Sequence, residues 1–362
     1  AAPDTDSCDI AIVGGGLAGG LAALALARRR PDLDVRLVEP GAVGGNHIWS
    51  FFDADIAPRD RWLVEPLIRH RWDGYDVAFP QYRRAIAMAY NSITGEALAD
   101  AVAAVLPAGR LVRKAAILLA PGSVAFDDGT KLAARQVIDA RGAGDLAGID
   151  CGWQAFVGQA LRIEGGHGLV RPVVMDATVE QIGGYRFVYG LPFDAETVFV
   201  EDTYYSDDAA LDVAAVRERI MAYAAARGWR IAGIEREETG RLPVVMAGDF
   251  DAIWPKGDGV ARIGVRAGRF HATTGYSFPD AVRTASALPA LVDRPDFGAV
   301  LRAQAAASWR SQRFYRMLGA MLFRAAEPAE RYRVFQRFYR LSPDLIARFY
   351  AGASTARDKL RI

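Results

Sequence analysis

The sequence predicts an α/β fold with a dinucleotide-binding Rossmann domain, an inserted antiparallel β-sheet and a C-terminal helical region. Three observations predict it. A glycine-rich turn links an apolar strand to an alanine-rich helix within residues 10–27. A central block alternates aromatic and aliphatic residues with period two, as half-buried strands do. Toward the end, apolar residues recur at helical spacing among many arginines. At 362 residues the chain is long for one core, so two domains or one elaborate domain are expected.

The first element is the short buried strand Ile10 to Val13. The turn that follows carries Gly14, Gly16 and Gly19 in the spacing G-x-G-x-x-G, and Leu17 to Ala27 is the helix it opens. "DVRLVEP" is the next strand and ends in Glu39, about 20 residues past Gly19, where an acid binds ribose hydroxyls. The three glycines serve the tight turn, the approach of backbone to pyrophosphate, and close helix–strand packing. Amides at the helix start, including those of Leu17 and Ala18, hold the anion. The apolar run has the length of a membrane span or signal peptide. Its arginines follow it and acids precede it, the reverse of a signal peptide, and its glycines would break a spanning helix.

The fingerprint alone does not separate FAD from NAD. Its place at the start of the chain, with the rest of the site returning later, is that of glutathione-reductase-type flavin proteins. Two later segments suit such a return. "ARQVIDARG" is a strand ending in a turn at Ala140 and Arg141, and "ARIGVRAGRFHATTGYS" is a strand running into a turn with Gly268, Thr274 and Gly275, ahead of a helix from Phe278 to Leu288. The expected FAD-binding domain is therefore discontinuous, at residues 1–75, 96–150 and 256–290. Residues 76–95 and 151–255 form a β-rich substrate domain, and residues 291–362 a C-terminal helical region, with membrane contact as one of its two readings.

In the β-rich block, "RPVVMDATVEQIGGYRFVYGLPF" reads as two strands around a hairpin turn at Gly183 and Gly184. The next strand, "TVFVEDTYYS", stops its apolar run on two acids. Alternation puts Glu201 on one face with Phe199, Thr203 and Tyr205, and Asp202 on the other with Val200 and Tyr204. Asp176 is a third acid in the same sheet, read either as functional or as a turn carboxylate.

The end is helical, with Phe314, Met317, Leu318, Met321 and Leu322 on one stripe. Leu345, Ile346, Phe349 and Tyr350 form another after a start at Ser342 and Pro343. Arg310, Arg313, Arg316, Arg324, Arg331, Arg333, Arg337 and Arg340 lie between these positions. Such helices either pack on the core with solvated arginines or lie on anionic headgroups. The formal net charge of +1 gives no reason to expect nucleic acid. Two cysteines, Cys8 and Cys151, are too few for a disulfide framework or metal cluster, and fit a reducing, cytoplasmic compartment.

Read together, the segments "GGGLAGGLAAL", "GGNHIWSF", "QAFVGQ", "MDATVEQIGGYRFVYGLP", "VEDTYY", "HATTGYS" and "LIARFYAG" resemble the flavin-dependent bacterial lycopene β-cyclases over nearly the whole chain. Two departures stand out. Ala272 occupies the place of the family's usual proline before "TTGYS", and a short tail is expected beyond Ile362. The resemblance implies FAD, reduced by NAD(P)H and used without net redox change, and lycopene or a related linear carotene drawn from a membrane surface. It implies no metal and no nucleic acid, and a place at the cytoplasmic, inner face of a membrane.

Lycopene and β-carotene are isomers, so ring closure is one proton in and one proton out. The terminal alkene is protonated at C2, the C1 cation is captured by C5=C6, and the C5 cation loses the C6 proton. A carboxyl in an apolar cavity stays neutral near pH 7 and, once ionised, stabilises an adjacent cation. Glu201 is the first candidate for that acid, and Asp202 the second, orienting a backbone or flavin-side group. The runner-up reading is a flavin monooxygenase or oxidoreductase acting on a polyene. Gly268-Arg269 stands where redox relatives carry Gly-Asp, which disfavours it. A carotenoid-binding protein without catalysis is the third class.

Overall fold

The computed structural model describes residues 6–362; the first five residues of the expected nucleotide domain lie outside them. Three sheets organise the chain. In the first, the strands run in the order Leu111–Val112, Val35–Val38, Asp6–Val13, Lys131–Asp139, Ser123–Phe126 and Ala116–Ala120, with Ala261–Arg262 also pairing with Lys131–Asp139. Asp6–Val13 is parallel to both neighbours. Covered on both faces, its residues Ile10 to Val13 are fully apolar and almost wholly buried. The helix Leu17–Arg29 follows directly, and packs against the helices Phe278–Leu291 and Gly95–Val105. The expected return of the late segment is short: Ala261–Arg262 is its only strand, and a 3₁₀ turn Gly264–Ala267 replaces the rest.

The second sheet has the order Arg230–Gly248, Ile149–Glu164, Thr197–Ser206, Tyr185–Pro192, Val173–Asp176, Tyr75–Phe79 and Tyr82–Ile86. All its pairs are antiparallel except Val173–Asp176 with Tyr75–Phe79. The period-two pattern divides its strands between two cores. Val157, Leu161, Val188, Val198 and Val200 meet Val216 and Ile220 of the helix Val213–Ala226, whereas Tyr185, Phe187, Phe199 and Tyr205 join a core with Phe323, Phe335 and Tyr339 of the C-terminal helices.

Two expectations are corrected here. Gly183 and Gly184 do not make a tight hairpin: the strand before them ends at Asp176, and residues 177–184 form a loop in which both glycines have positive φ. Tyr90–Thr94, read as part of the substrate domain, pairs instead with Ile48–Phe52 and Ile68–Trp72 in a separate three-stranded sheet.

The C-terminal helices cover the second sheet. Arg313–Arg324 lies along Arg230–Gly248, but of the predicted stripe only Leu322 is fully buried, and Tyr315, Gly319 and Phe323 complete the buried face. Met317 and Met321 are 50% and 55% exposed. Arg331, expected among solvated arginines, is buried: its guanidinium donates to the Phe323 carbonyl at 2.8 Å and lies over the Phe323 ring. Ala272 donates its backbone N–H to Gln312 at 3.1 Å, a bond that proline in its place would remove. No described helix is long and apolar enough to cross a membrane.

Candidate active site

The strand pairing sets one row of residues across four strands. Tyr189 stands opposite Glu201, Glu201 opposite Gly158, and Gly158 opposite Glu238. Their side of the sheet lines an apolar cavity of about 260 Å³, walled by aromatic side chains that include Phe52, Tyr90, Phe156, Phe187, Phe199 and Tyr350. Glu201 and Glu238 are the carboxylates among its lining residues.

Glu201 is half-buried and accepts the Thr203 hydroxyl at 2.7 Å. Burial pushes its carboxyl up from 4.5 to about 7, and Asp202 adds to the shift while the Thr203 hydroxyl opposes it. The first sequence candidate therefore lies in the cavity with Phe199 and Tyr205 beside it. Such an acid can be neutral near pH 7.

Asp202 is corrected as a candidate. Alternation turns it to the opposite face, where it is fully buried and out of the cavity. Arg186 grips it with two nitrogens, Nε to Oδ1 at 2.8 Å and Nη2 to Oδ2 at 2.9 Å, and the Tyr204 hydroxyl donates to Oδ2 at 2.7 Å. It orients Arg186 and Tyr204 under the helix Val213–Ala226, not a flavin-side group. Asp176 faces the same helix and accepts from Arg227 at 2.7 Å and from Tyr223 at 2.9 Å. It is a structural carboxylate.

Glu238 is the residue that sequence reasoning missed. It is 3% exposed, and its Oε2 accepts the Ile48 backbone N–H at 3.0 Å. Burial pushes its pKa from 4.5 up to about 8, and the nearby Glu201 charge raises it further. In the sequence it sits in "REETGR". The period-two set Glu238, Gly240 and Leu242 was the available signal.

A second, larger cleft of about 640 Å³ adjoins the cavity, and Ile48, Trp49, Phe156, Glu238, Leu242 and Ser277 border both. Of the predicted cofactor residues, Gly14, Gly16, Leu17, Ala18, Glu39, Ala140 and Arg141 line this cleft. Gly14 has φ +107°, and a Cβ there would lie 2.7 Å from the Arg141 nitrogen; one on Gly19 would lie 1.8 Å from the Gly14 carbonyl oxygen. Gly19 thus acts through packing and does not line the cleft. The helix Leu17–Arg29 starts with no side-chain cap and no acid in its first turn, which leaves its first amides free for an anion. Glu39 is held at the rim by the Gly15 and Gly41 amides at 2.8 and 2.9 Å. These features fit a dinucleotide.

The late segment differs from expectation. Gly268 caps the turn beside Ile253 and Trp309, away from the cleft, and Gly264 and Val265 border it instead. Thr274 and Gly275 line the apolar cavity. Arg269 donates to Asp280 at 2.9 Å.

Comparison with known proteins is consistent with this arrangement. The family model described as "Lycopene cyclase protein" matches residues 9–362. The chain is 44% identical over 360 residues to a lycopene beta-cyclase of Pseudescherichia vulneris, covering 98% of this chain and 92% of that protein. It is 42% identical to a lycopene beta-cyclase of Pantoea ananas, covering 98% and 93%. Among solved structures, a p-nitrophenol 4-monooxygenase of Pseudomonas putida shares the fold with a TM-score of 0.63 at 13% identity, covering 97% of this chain and 100% of that one. A geranylgeranyl bacteriochlorophyll reductase-like protein of Thermoplasma acidophilum does so at 0.57 and 15%, covering 99% and 96%. With a family model spanning nearly all of it and relatives above two-fifths identical, the chain belongs to the lycopene cyclase family and is an enzyme of the lycopene β-cyclase type.

Proposed function

We propose that the enzyme closes the ψ-end groups of lycopene to β-rings, giving γ-carotene and then β-carotene, by alkene protonation, cation cyclisation and proton loss. The observation that carries this reading is a carboxyl, Glu201, held in an apolar aromatic cavity beside a dinucleotide cleft. A cavity of about 260 Å³ is small for a drug-sized ligand, so it takes one end of a long polyene at a time. Glu201 gives its proton to C2, and the resulting carboxylate stabilises the C1 and C5 cations at low dielectric. The surrounding rings exclude water, which would otherwise trap the cation as an alcohol.

The cleft is read as the FAD site, with the amides of Gly14 to Ala18 at the pyrophosphate, Glu39 at the ribose, and Ala140 and Arg141 lining it beside Gly14. Reduced FAD, supplied with electrons by NAD(P)H, provides an electron-rich ring that favours nearby positive charge. Anaerobic incubation of the reduced holoenzyme with lycopene in liposomes in D2O tests the reaction. One solvent deuterium per new ring in a product isomeric with lycopene is expected. A product that has gained oxygen or changed its hydrogen count, formed only with stoichiometric NAD(P)H, would instead establish the oxidoreductase reading.

The exposed Met317 and Met321, flanked by the exposed Arg313 and Arg324, support docking on an anionic bilayer as the route to substrate. Replacing both methionines with serine is expected to weaken sedimentation with phosphatidylglycerol vesicles by roughly tenfold or more. Undiminished binding would move the contact elsewhere.

A further inference from the structure

Ring closure needs a place for the C6 proton to go, and the row through Gly158 supplies a second acid. Glu201 and Glu238 both stand opposite Gly158, on the strands either side of it. Neighbouring strands are about 4.8 Å apart, so the two backbones are separated by roughly 9.6 Å. Glycine leaves the middle of the row without a side chain. Phe199 uses that space: a Cβ on Gly158 would lie 2.2 Å from the Phe199 Cζ. The ring is therefore laid over the glycine, between the two acids, and it lines the same cavity.

Each acid keeps one oxygen available. Thr203 engages Oε1 of Glu201, and the Ile48 amide engages Oε2 of Glu238. Neither remaining oxygen is among the buried polar atoms left without a partner, so both reach open space. His47 Nδ1 stands 3.9 Å from Glu238 Oε2 with its own side chain 47% exposed, which places a half-solvated imidazole behind this acid. An aromatic face attracts a cation laid on it, so an end group seated on Phe199 has its positive carbons over the ring and one carboxyl on each side.

Resting on the cyclase reading above, we propose that Glu238 is the second catalytic carboxyl, receiving the C6 proton across Phe199 from the acid Glu201. In the form that reacts the pair holds one proton, on Glu201, and Glu238 is ionised: the Glu201 O–H bond breaks as C2–H forms, the C5=C6 electrons make the C1–C6 bond, and the C6–H electrons restore C5=C6 as the Glu238 carboxylate takes the proton. Glu201 and Glu238 then re-equilibrate with each other or with water before the next closure. No oxidant or reductant is consumed.

The test is product regiochemistry. Holoenzyme carrying Glu238→Gln is incubated with lycopene, and the isomers are separated and identified by NMR. Glutamine keeps an oxygen for the Ile48 amide but cannot take a proton. The expected result is β-ring formation at least about a hundredfold slower, with the C5 cation losing protons from C4 or from the C5 methyl group instead, at unchanged mass. Wild-type rate, or slow turnover giving only β-rings, overturns the proposal, because a lost base must redirect proton loss. Should Glu238→Gln not fold, Glu238→Asp is read by the same criterion: β-rings with a measurable share of the other isomers support it, β-rings alone overturn it. Wild-type enzyme that forms no rings at all would fail the cyclase reading itself, and this proposal with it.

Discussion

Glu201→Gln is expected to lower kcat for ring closure by about 10²–10⁴-fold, the range spanned by general acid catalysis, with folding intact. The acid sits at a cavity wall, and its one protein hydrogen bond is from the Thr203 hydroxyl, which an amide oxygen accepts equally well. Stability depends on the same proton as activity. The carboxyl has a folded pKa of about 7 against an ordinary 4.5, so the native state binds the extra proton between those values. Its stabilising contribution is full below about pH 4.5 and lost as pH rises through 7. Glu238, raised to about 8, extends the same trend. Wild-type stability is therefore expected to decline between about pH 5 and 8, and Glu201→Gln to flatten that decline. Cyclisation by the wild type, which needs Glu201 protonated and Glu238 ionised, should be greatest between about pH 7 and 8 and fall on either side. Steady-state kinetics and urea melts across this range check both. A variant with full turnover would remove Glu201 from the chemistry.

What could be read in the sequence was what depends on neighbouring residues. The glycine turn, the helix it opens and Glu39 lie within one βαβ unit, and strand alternation alone assigned Glu201 and Asp202 to opposite faces. What could not be read depends on distant pairing. Glu238 reaches the cavity only because the strands Arg230–Gly248 and Ile149–Glu164 pair along nearly their whole length, in a register that sets Glu238 against Gly158. Its neighbour Glu237 faces the helix and meets Arg217 at 2.9 Å; in sequence the two glutamates look alike. The misplaced Gly268 has a similar cause. "GVRAG" offers two glycines with positive φ, Gly264 and Gly268, and only the packing of Gly264 against Ala18 shows which one meets the nucleotide turn. The methionine stripe failed differently. Its spacing was helical, but burial was set by the sheet beneath, which kept Leu322 and otherwise selected Tyr315, Gly319 and Phe323.

Asp202→Asn is expected to destabilise the protein by about 3–5 kcal/mol while leaving turnover per folded molecule within about threefold of wild type. The pair it breaks is buried, with Arg186 5% and Asp202 0% exposed. Asparagine still accepts one hydrogen bond, but it leaves the guanidinium charge uncompensated in a site that water does not reach. Tyr204, which donates to Asp202 and accepts from Arg219 at 3.1 Å, loses its charged acceptor as well. In urea the midpoint should fall with the slope unchanged, as for a loss of native stability alone. Replacing both partners by apolar residues, Arg186→Met with Asp202→Leu, is expected to recover much of the loss, since an apolar pair of similar volume often matches or exceeds a buried ion pair. The contrast with Glu201→Gln is the point of the experiment: adjacent acids on opposite faces of one strand should separate into a variant that folds without catalysing and one that catalyses when folded. If Asp202→Asn instead abolished turnover at unchanged stability, the carboxylate would have to act through the sheet on the cavity side, and the assignment of Glu201 as the acid would need to be reversed.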